Sequence, residues 1–197
     1  MPAVNEADPR VKRTRKLLQD ALLALLAEKS FDAISVHDIA ERSTINRATF
    51  YAHYVDKYAL FSGYVHQWFR KALRQNVEDG TGLCRSNLQL VILASMEAMA
   101  ELDDHCRPTE TMRPLVMSAV QEELAALLLG WLERAPACAT GRQVGLETTA
   151  AGLSWAIFGT ALNWSRMPER SPAESTASRI ADLLTEGLSS VVGKLTI

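Results

Sequence analysis

The apolar residues of this sequence recur at intervals of three and four positions, and no stretch alternates between apolar and polar residues. One such stripe lies between residues 9 and 29 and consists of Leu17, Leu18, Ala21, Leu22, Leu25 and Leu26. A period near 3.6 residues is that of an amphipathic α-helix, whereas a half-buried strand has a period of two. The sequence therefore predicts an all-α protein.

Capping residues and prolines divide this pattern into separate helices. Short polar side chains that accept backbone N–H groups of a first helical turn precede the first four helices: Asp8, Ser35, Asn46 and Asp56. Pro9 and Pro172 are predicted at first helical positions. The predicted helices after residue 55 are a long one at 57–78 and four more at 87–103, 109–134 with an interruption at Pro114, 142–165 and 172–192.

Two of these helices have predicted buried stripes. In the long helix the stripe is Phe61, Tyr64, Val65, Trp68 and Ala72, and in the next it is Leu88, Val91, Ile92, Ser95 and Met99. Both stripes follow the helical period, so we expect them to face a core.

Charge and cysteine content limit the classes of function. The chain has 197 residues and a formal charge of −2, which excludes a generally cationic coat for nucleic acid. Basic residues are concentrated at Arg10–Lys16 (RVKRTRK), so any contact with a polyanion should be local to that end.

Three widely spaced cysteines favour a reducing cytoplasm. We expect no leader, because the first twenty residues are polar and basic. We expect no membrane segment, because no apolar run approaches about 20 residues.

The segment TINRATFYAHY, residues 44–54, has an unusual outward face. With about 100° per residue, Phe50 and Tyr54 fall on one buried side. The residues predicted to face away from it are Ala48, Thr49 and Ala52, and those at its flanks are Tyr51 and His53. A face this small can enter the major groove of double-stranded DNA, which is about 12 Å wide. The alternative is an ordinary surface helix, in which the alanines only favour helix formation.

The neighbouring segments favour the first interpretation, a helix that enters the major groove. A short capped helix, a turn at 43–45 and a second short helix form a helix-turn-helix, whose second helix lies in the major groove of DNA. Groups that can bind phosphate are predicted around the second helix. They are Arg13 and Arg15 in the basic run, the Ser35 hydroxyl with the free N–H groups of its helix, and Lys57. Arg47 and Thr49 are placed to reach base edges.

The stretch RTRKLLQDALLALLAEKSFDAISVHDIAERSTINRATFYAHYVDKYALF resembles the DNA-binding domain of the TetR family of bacterial transcriptional regulators. The resemblance implies contacts to DNA from Thr49, Tyr51 and His53, sequence reading by Arg47 and Ala48, and a phosphate contact from Lys57. The predicted DNA-binding residues are Arg13, Arg15, Ser35, Asn46, Arg47, Ala48, Thr49, Tyr51, His53 and Lys57. Thr44 departs from the glycine that many members have in the turn. If this position needs a positive φ, threonine costs about 1 kcal/mol.

Beyond residue 80 no catalytic motif occurs, so we expect neither an enzyme nor a cofactor. Family resemblance implies a small apolar or aromatic effector, although each candidate residue taken alone is typical of a helical core. The candidates are Tyr64, Trp68, Met96, Met99, Met117, Trp131, Trp155 and Phe158, with Asn163 and Trp164 as polar ends. Glu101, Asp104, His105 and Cys106 could ligate a metal, but a polar helix end is the favoured interpretation.

Two helices carry the features of a self-association surface. Gly145, Gly152 and Gly159 are spaced by seven, and each costs about 1 kcal/mol relative to alanine unless another helix approaches closely. The last helix has a broad apolar arc that two chains together could cover. The predicted dimer residues are Gly152, Gly159, Ile180, Leu184, Leu188 and Val191.

These observations together predict a homodimeric, ligand-responsive transcriptional regulator, a repressor, that binds a palindromic operator in double-stranded DNA. The predicted domains are a helix-turn-helix domain at 9–57 and an effector-binding and dimerisation domain at 58–197, linked by the helix at 57–78. One alternative is a helical protein that sequesters a small molecule, or a small enzyme, with a vestigial DNA-binding domain. Another is a regulator that has no effector and acts through protein partners.

Overall fold

The computed structural model describes residues 8–77, 82–105, 108–135 and 145–192, and these residues contain helices and no strand. The helices are α1 (Pro9–Leu26), α2 (Val36–Ser43), α3 (Arg47–His53), α4 (Lys57–Asn76), α5 (Arg85–His105), α6 (Met112–Arg134), α7 (Leu146–Ser165) and α8 (Ala173–Val192). A 3-10 turn, Phe31–Ala33, follows α1. The predicted all-α fold is confirmed.

The four predicted N-caps at the start of the chain are confirmed by hydrogen bonds. The backbone N–H groups that donate to them are those of Arg10 to Asp8 (2.8 Å), Asp38 to Ser35 (3.2 Å), Thr49 to Asn46 (2.7 Å) and Ala59 to Asp56 (2.7 Å). Asp38 also accepts from the Ser35 backbone N–H at 2.8 Å, which completes a capping box. These local bonds fix where the first four helices begin.

Some predicted boundaries are wrong. Pro114 does not interrupt α6, because it lies in the first turn, where backbone N–H groups have no partner within the helix and proline is tolerated. Gly145 is the N-cap of α7, and the predicted helical residues 142–144 lie outside the described residues. The last helix begins at Ala173, so Pro172 precedes it.

The stripe predicted for α5 is buried throughout, whereas that of α4 is wrong in its second half. The buried residues after Val65 are Phe69 and Leu73 in α4 and Val77 directly after its end, while Trp68 and Ala72 are only half-buried. The predicted stripe and the observed buried residues are both mainly apolar and both follow the helical period, so the sequence could not distinguish them. The packing of neighbouring helices decides which row faces the core.

The described residues belong to two compact units. The first comprises Met1–His66 with Thr109–Ala119, and the second Gln67–Pro108 with Val120–Ile197. Fully buried side chains of the first include Leu18, Leu22, Phe31, Ile39, Phe50 and Leu60. In the second, α5 packs against α7 and α8, and its core includes Leu88, Ile92, Leu128, Trp131, Ile157 and Phe158. By length and composition α6 could cross a membrane, a criterion that core helices also meet.

Candidate nucleic-acid interface

The turn between α2 and α3 holds these two helices in a helix-turn-helix arrangement. Thr44 has φ 56° and ψ 25°, the left-handed conformation that the missing glycine would favour. Its N–H donates to the Glu41 carbonyl at 3.1 Å, and the Ile45 N–H donates to the Ala40 carbonyl at 3.0 Å. These two bonds form a Schellman motif, which ends α2 and starts the turn. A position that requires positive φ is therefore occupied by threonine.

Helix α3 buries one residue and exposes most of the others. Phe50 is completely buried, while Arg47, Ala48, Tyr51 and Ala52 are exposed. Thr49 is half-buried. The predicted burial of Phe50 and the exposure of the small face opposite it are confirmed. The prediction for Tyr54 is wrong on two points. Its backbone is extended (φ −141°), so the helix ends before it, and its side chain is half-buried and not buried.

The imidazole of His53 is less available than the sequence predicted. This side chain is half-buried, and its Nδ1 is buried with no hydrogen-bond partner among the described residues. Burial lowers the pKa of His53, and the positive charge of Arg15 lowers it further. A neutral imidazole with one nitrogen enclosed is poorly suited to neutralise a phosphate. The contact of His53 with DNA stays a prediction.

The basic run on α1 is divided by the packing of the helix. Arg13 is exposed, and so are three further cations that were not singled out from the sequence, Arg10, Lys12 and Lys16. Arg15 is half-buried, and its guanidinium lies 5.8 Å from the ring centroid of Tyr54. The exposed cations are thus the better candidates for phosphate contacts. The charge run itself is the signal that could have identified all of them.

Lys57, for which the family resemblance implies a phosphate contact, is hydrogen-bonded to the backbone in this structure. Its Nζ donates to the carbonyl oxygens of Phe31 (2.9 Å), Asp32 (3.1 Å) and Ile34 (2.7 Å). An ammonium has three donors, and in this structure all three are directed at the backbone. The side chain therefore holds the connection between α1 and α2 in this structure, and its contact to phosphate stays a prediction.

The N-terminus of α2 is also partly occupied. The Asp38 carboxylate accepts from the Ser35 backbone N–H and pairs with Lys29 at 2.8 Å. The hydrogen bond from Lys29 is the largest cause that holds the pKa of Asp38 well below its usual range, followed by those from Ser35. Two N–H groups at this helix start, those of Ser35 and Asp38, are thus already hydrogen-bonded within the protein. The exposed Ser35 hydroxyl remains the candidate for phosphate.

The predicted effector residues differ in burial and in the openings that they line. Met96, Met99, Trp131 and Phe158 are buried, Tyr64 and Trp68 are half-buried, and Met117 and Trp155 are exposed. Trp131 lines a cavity with residues of α4 and α6, whereas Trp155 lines a groove with residues of α7 and α8. Asn163 and Trp164 line that second groove. Trp131 and Trp155 thus line two different openings, and which candidates bind an effector stays a prediction.

The glycines of α7 face open space within the chain. A Cβ atom at Gly152 or Gly159 would meet no heavy atom within 4 Å, so no described helix of the same chain approaches them closely. Trp155, between them on α7, is 58% exposed, and Leu183 on α8 is 63% exposed. Ile180 and Leu184 are half-buried, and the side chains of Leu188 and Val191 lie outside the described residues.

The polar end of α5 is held by an ion pair. Asp104 accepts two hydrogen bonds from the Arg170 guanidinium, each at 2.9 Å. The side chains of His105 and Cys106 lie outside the described residues, and within the described ones no three His, Cys, Asp or Glu side chains are grouped to hold a metal ion. Asp104 thus stabilises the fold by binding Arg170.

Comparisons with known proteins agree with the helix-turn-helix geometry. Residues 18–63 match the family model of "Bacterial regulatory proteins, tetR family". An uncharacterized HTH-type transcriptional regulator of Bacillus subtilis strain 168, YxbF, is 51% identical over 53 residues. That match covers 26% of this chain and only 14% of the relative.

Solved structures share the fold over most of the chain. A transcriptional regulator from Pseudomonas aeruginosa PAO1 has a TM-score of 0.59 at 22% identity, and the match covers 94% of this chain and 93% of that one. The FadR repressor of Thermus thermophilus, solved in complex with lauroyl-CoA, has a TM-score of 0.57 at 20% identity and covers 88% and 94%. At these identities the likeness establishes the fold.

Proposed function

Because the helix-turn-helix domain at residues 18–63 belongs to the TetR family of bacterial regulatory proteins, we propose that this protein is a cytoplasmic transcriptional repressor. It binds a palindromic operator as a homodimer and releases it in response to a small effector. The domains proposed for these tasks are residues 9–57 for DNA and 58–197 for dimerisation and effector binding.

The exposed face of α3 is the observation that carries this proposal. Arg47, Ala48, Tyr51 and Ala52 are exposed beside a fully buried Phe50. Small side chains let a helix lie deep in the major groove, where an alanine can contact a thymine methyl. Arg47 begins the helix, and a guanidinium there can donate two hydrogen bonds to a guanine. Tyr51, at the flank, is assigned to a phosphate.

The cations of α1 supply the sequence-independent part of the affinity. Arg10, Lys12, Arg13 and Lys16 are exposed, whereas Arg47 belongs to the face of α3. Phosphate contacts position a protein on the duplex and carry no sequence information. Each neutralised phosphate releases counterions, so binding should weaken steeply with salt.

A second copy of the chain is the proposed partner for α7 and α8. Gly152 and Gly159 leave room for a close helix, and the exposed side chains of Trp155 and Leu183 would be covered by it. Such an interface is two-fold, with the same surface on both subunits. Two-fold symmetry in the protein is matched by palindromic half-sites in the operator.

The proposed response to an effector is supported by the lauroyl-CoA complex of the similar Thermus thermophilus repressor. An effector shifts the protein between conformations only by the difference in its affinity for them. Effector binding must therefore favour a conformation that matches the operator poorly.

The experiment that tests this proposal is a genomic footprint of the purified full chain. We expect protection of paired, two-fold-related half-sites whose centres are about one helical turn or a multiple of it apart. Uniform binding to all DNA, or none at low salt, would contradict the proposal and favour a protein that sequesters a small molecule.

A further inference from the structure

A cavity of about 300 Å³ lies between α4 and α6 within the second compact unit. We infer that this cavity binds a small organic anion with an apolar body, of the class of medium-chain carboxylates. The inference deepens the proposed function, on which it rests only for the role of this anion as the effector.

The floor of the cavity is apolar. Leu73, Val77 and Trp131 line it, and each is at most 7% exposed. Ala126 and Leu127 extend the same wall along α6. Burial of hydrocarbon against such a surface is favourable. The floor therefore suits the apolar part of a ligand.

The rim is positively charged. Three arginines line the cavity, Arg70 and Arg74 from α4 and Arg134 from α6, against one carboxylate, Glu123. The formal charge of the lining is thus 3 − 1 = +2. An apolar floor below a cationic rim is complementary to an amphipathic anion and unfavourable for a cation.

One rim guanidinium already binds a carboxylate. The Nε of Arg70 donates to Oε2 of Glu123 at 2.8 Å, and its Nη2 donates to Oε1 of the same group. This two-point geometry is the one by which arginine recognises a planar carboxylate. A carboxylate is accordingly the head group that the rim fits best.

The wall of α6 is open beside the second guanidinium. Gly130 lines the cavity, and a Cβ atom placed on it would lie 3.5 Å from Nη1 of Arg134. That is an ordinary van der Waals contact, so alanine fits there while a larger side chain would occupy the cavity. Gly130 thus offers a way to fill the site from its wall.

The volume limits the size of the ligand. At about 30 Å³ for each water-sized group, 300 Å³ holds roughly ten such groups. Octanoate, with ten non-hydrogen atoms, has this size, and octanamide has the same shape without the charge.

Calorimetric titration of the full chain with octanoate and with octanamide tests the inference. We expect octanoate to bind at least tenfold more tightly than octanamide. Arg74→Gln and Arg134→Gln should each weaken octanoate binding about tenfold, since hydrogen bonds between charged groups are lost. Arg113→Gln, on α6 but outside the cavity lining, is the matched control and should bind as the parent does.

A larger side chain at Gly130 would fill the cavity and provides a test that does not depend on the arginines. Gly130→Leu should abolish octanoate binding, while Gly130→Ala should retain it. Equal affinity for octanoate and octanamide, absence of octanoate binding, or unchanged binding by Gly130→Leu would each overturn the inference. The comparison of the two probes on the parent chain decides the matter even if a variant fails to fold.

Operator affinity measured with and without octanoate separates the two proposals. If octanoate binds at the cavity and weakens operator binding, both stand. If it binds and leaves operator affinity unchanged, the anion site stands and its role as effector site fails. If the chain binds no operator, the proposed function fails, and the calorimetry alone decides the cavity.

Discussion

The ammonium of Lys57 lies 2.7 Å from the carbonyl oxygen of Ile34, so the first residue of α4 is tied to the segment that leads into α2. Its other two donors bind the carbonyls of Phe31 and Asp32. Lys57→Met keeps the aliphatic stem and removes all three bonds. We expect the free energy of unfolding, measured in urea, to fall by about 1–3 kcal/mol. The salt dependence of DNA binding should stay unchanged.

Arg13→Ala is the control with the opposite expectation. Arg13 is exposed, so its removal should leave stability unchanged. The slope of log affinity against log salt should become shallower by about 0.9 per lost contact, or about 1.8 in a dimer. If Lys57→Met flattens this slope as much and keeps its stability, Lys57 binds phosphate and its structural assignment is wrong.

Thr44→Gly should stabilise the first compact unit, which contains α2 and α3. The left-handed conformation costs a non-glycine residue about 1–3 kcal/mol. Glycine is disfavoured by about 0.4–1 kcal/mol through its greater freedom in the unfolded chain. The net gain should be about 1 kcal/mol in urea unfolding. Glu41→Gly, at an exposed helical position of α2, should instead destabilise by about 1 kcal/mol. Equal effects of both changes would show that the turn is not strained.

The stability of the same compact unit should depend on pH through His53. Burial lowers the pKa of His53, so the folded chain binds its proton less readily than the unfolded chain, whose histidine pKa is about 6.5. The stabilisation is present above that pH and is lost as pH falls, because the unfolded state then binds more protons. We expect the unfolding free energy to decrease between about pH 7.5 and 5.5.

His53→Gln should reduce that slope, and His37→Gln, at an exposed position, should keep it. The pKa of Asp38, lowered mainly by its hydrogen bond from Lys29, adds a separate loss only below about pH 4. An unchanged slope between pH 7.5 and 5.5 in His53→Gln would exclude the histidine as its cause.

The features predicted correctly from the sequence are those that depend on residues close together in the chain. Asn46, for example, caps α3 through Thr49, three positions away. The α3 face was also predictable, because Phe50 is its single fully buried residue and the helical period fixes what lies opposite.

The features that were missed depend on long-range packing. Lys57 donates to carbonyls 23 to 26 positions away, which no local pattern indicates. His53 is desolvated and lies beside Arg15 on another helix. Trp131 and Trp155 are alike in the sequence, yet one is 1% and the other 58% exposed. Which face of a helix is covered is decided by its neighbours, so a set of aromatic residues cannot define a pocket from the sequence.

A charged side chain at the open glycines of α7 should prevent dimerisation without unfolding the chain. Gly159→Glu adds a side chain whose Cβ has no heavy atom within 4 Å other than its chain neighbours and the backbone of its own helix. We expect a folded monomer by sedimentation velocity at micromolar concentration, and Leu184→Glu should also dissociate the dimer. Met117→Glu, at an exposed position of α6, should remain dimeric. A stable monomer for the parent chain would remove the basis for palindromic binding.

The most direct test of the DNA-binding role of α3 is the affinity of Ala52→Glu for the operator and for random DNA across a salt series. Ala52 is exposed on the face of α3 opposite the buried Phe50, so glutamate there would bring bulk and negative charge to the groove floor. Ala24→Glu makes the same change at an exposed position of α1. We predict that Ala52→Glu loses operator binding while Ala24→Glu retains it. Operator affinity equal to that of the parent in Ala52→Glu would show that α3 does not lie in a groove.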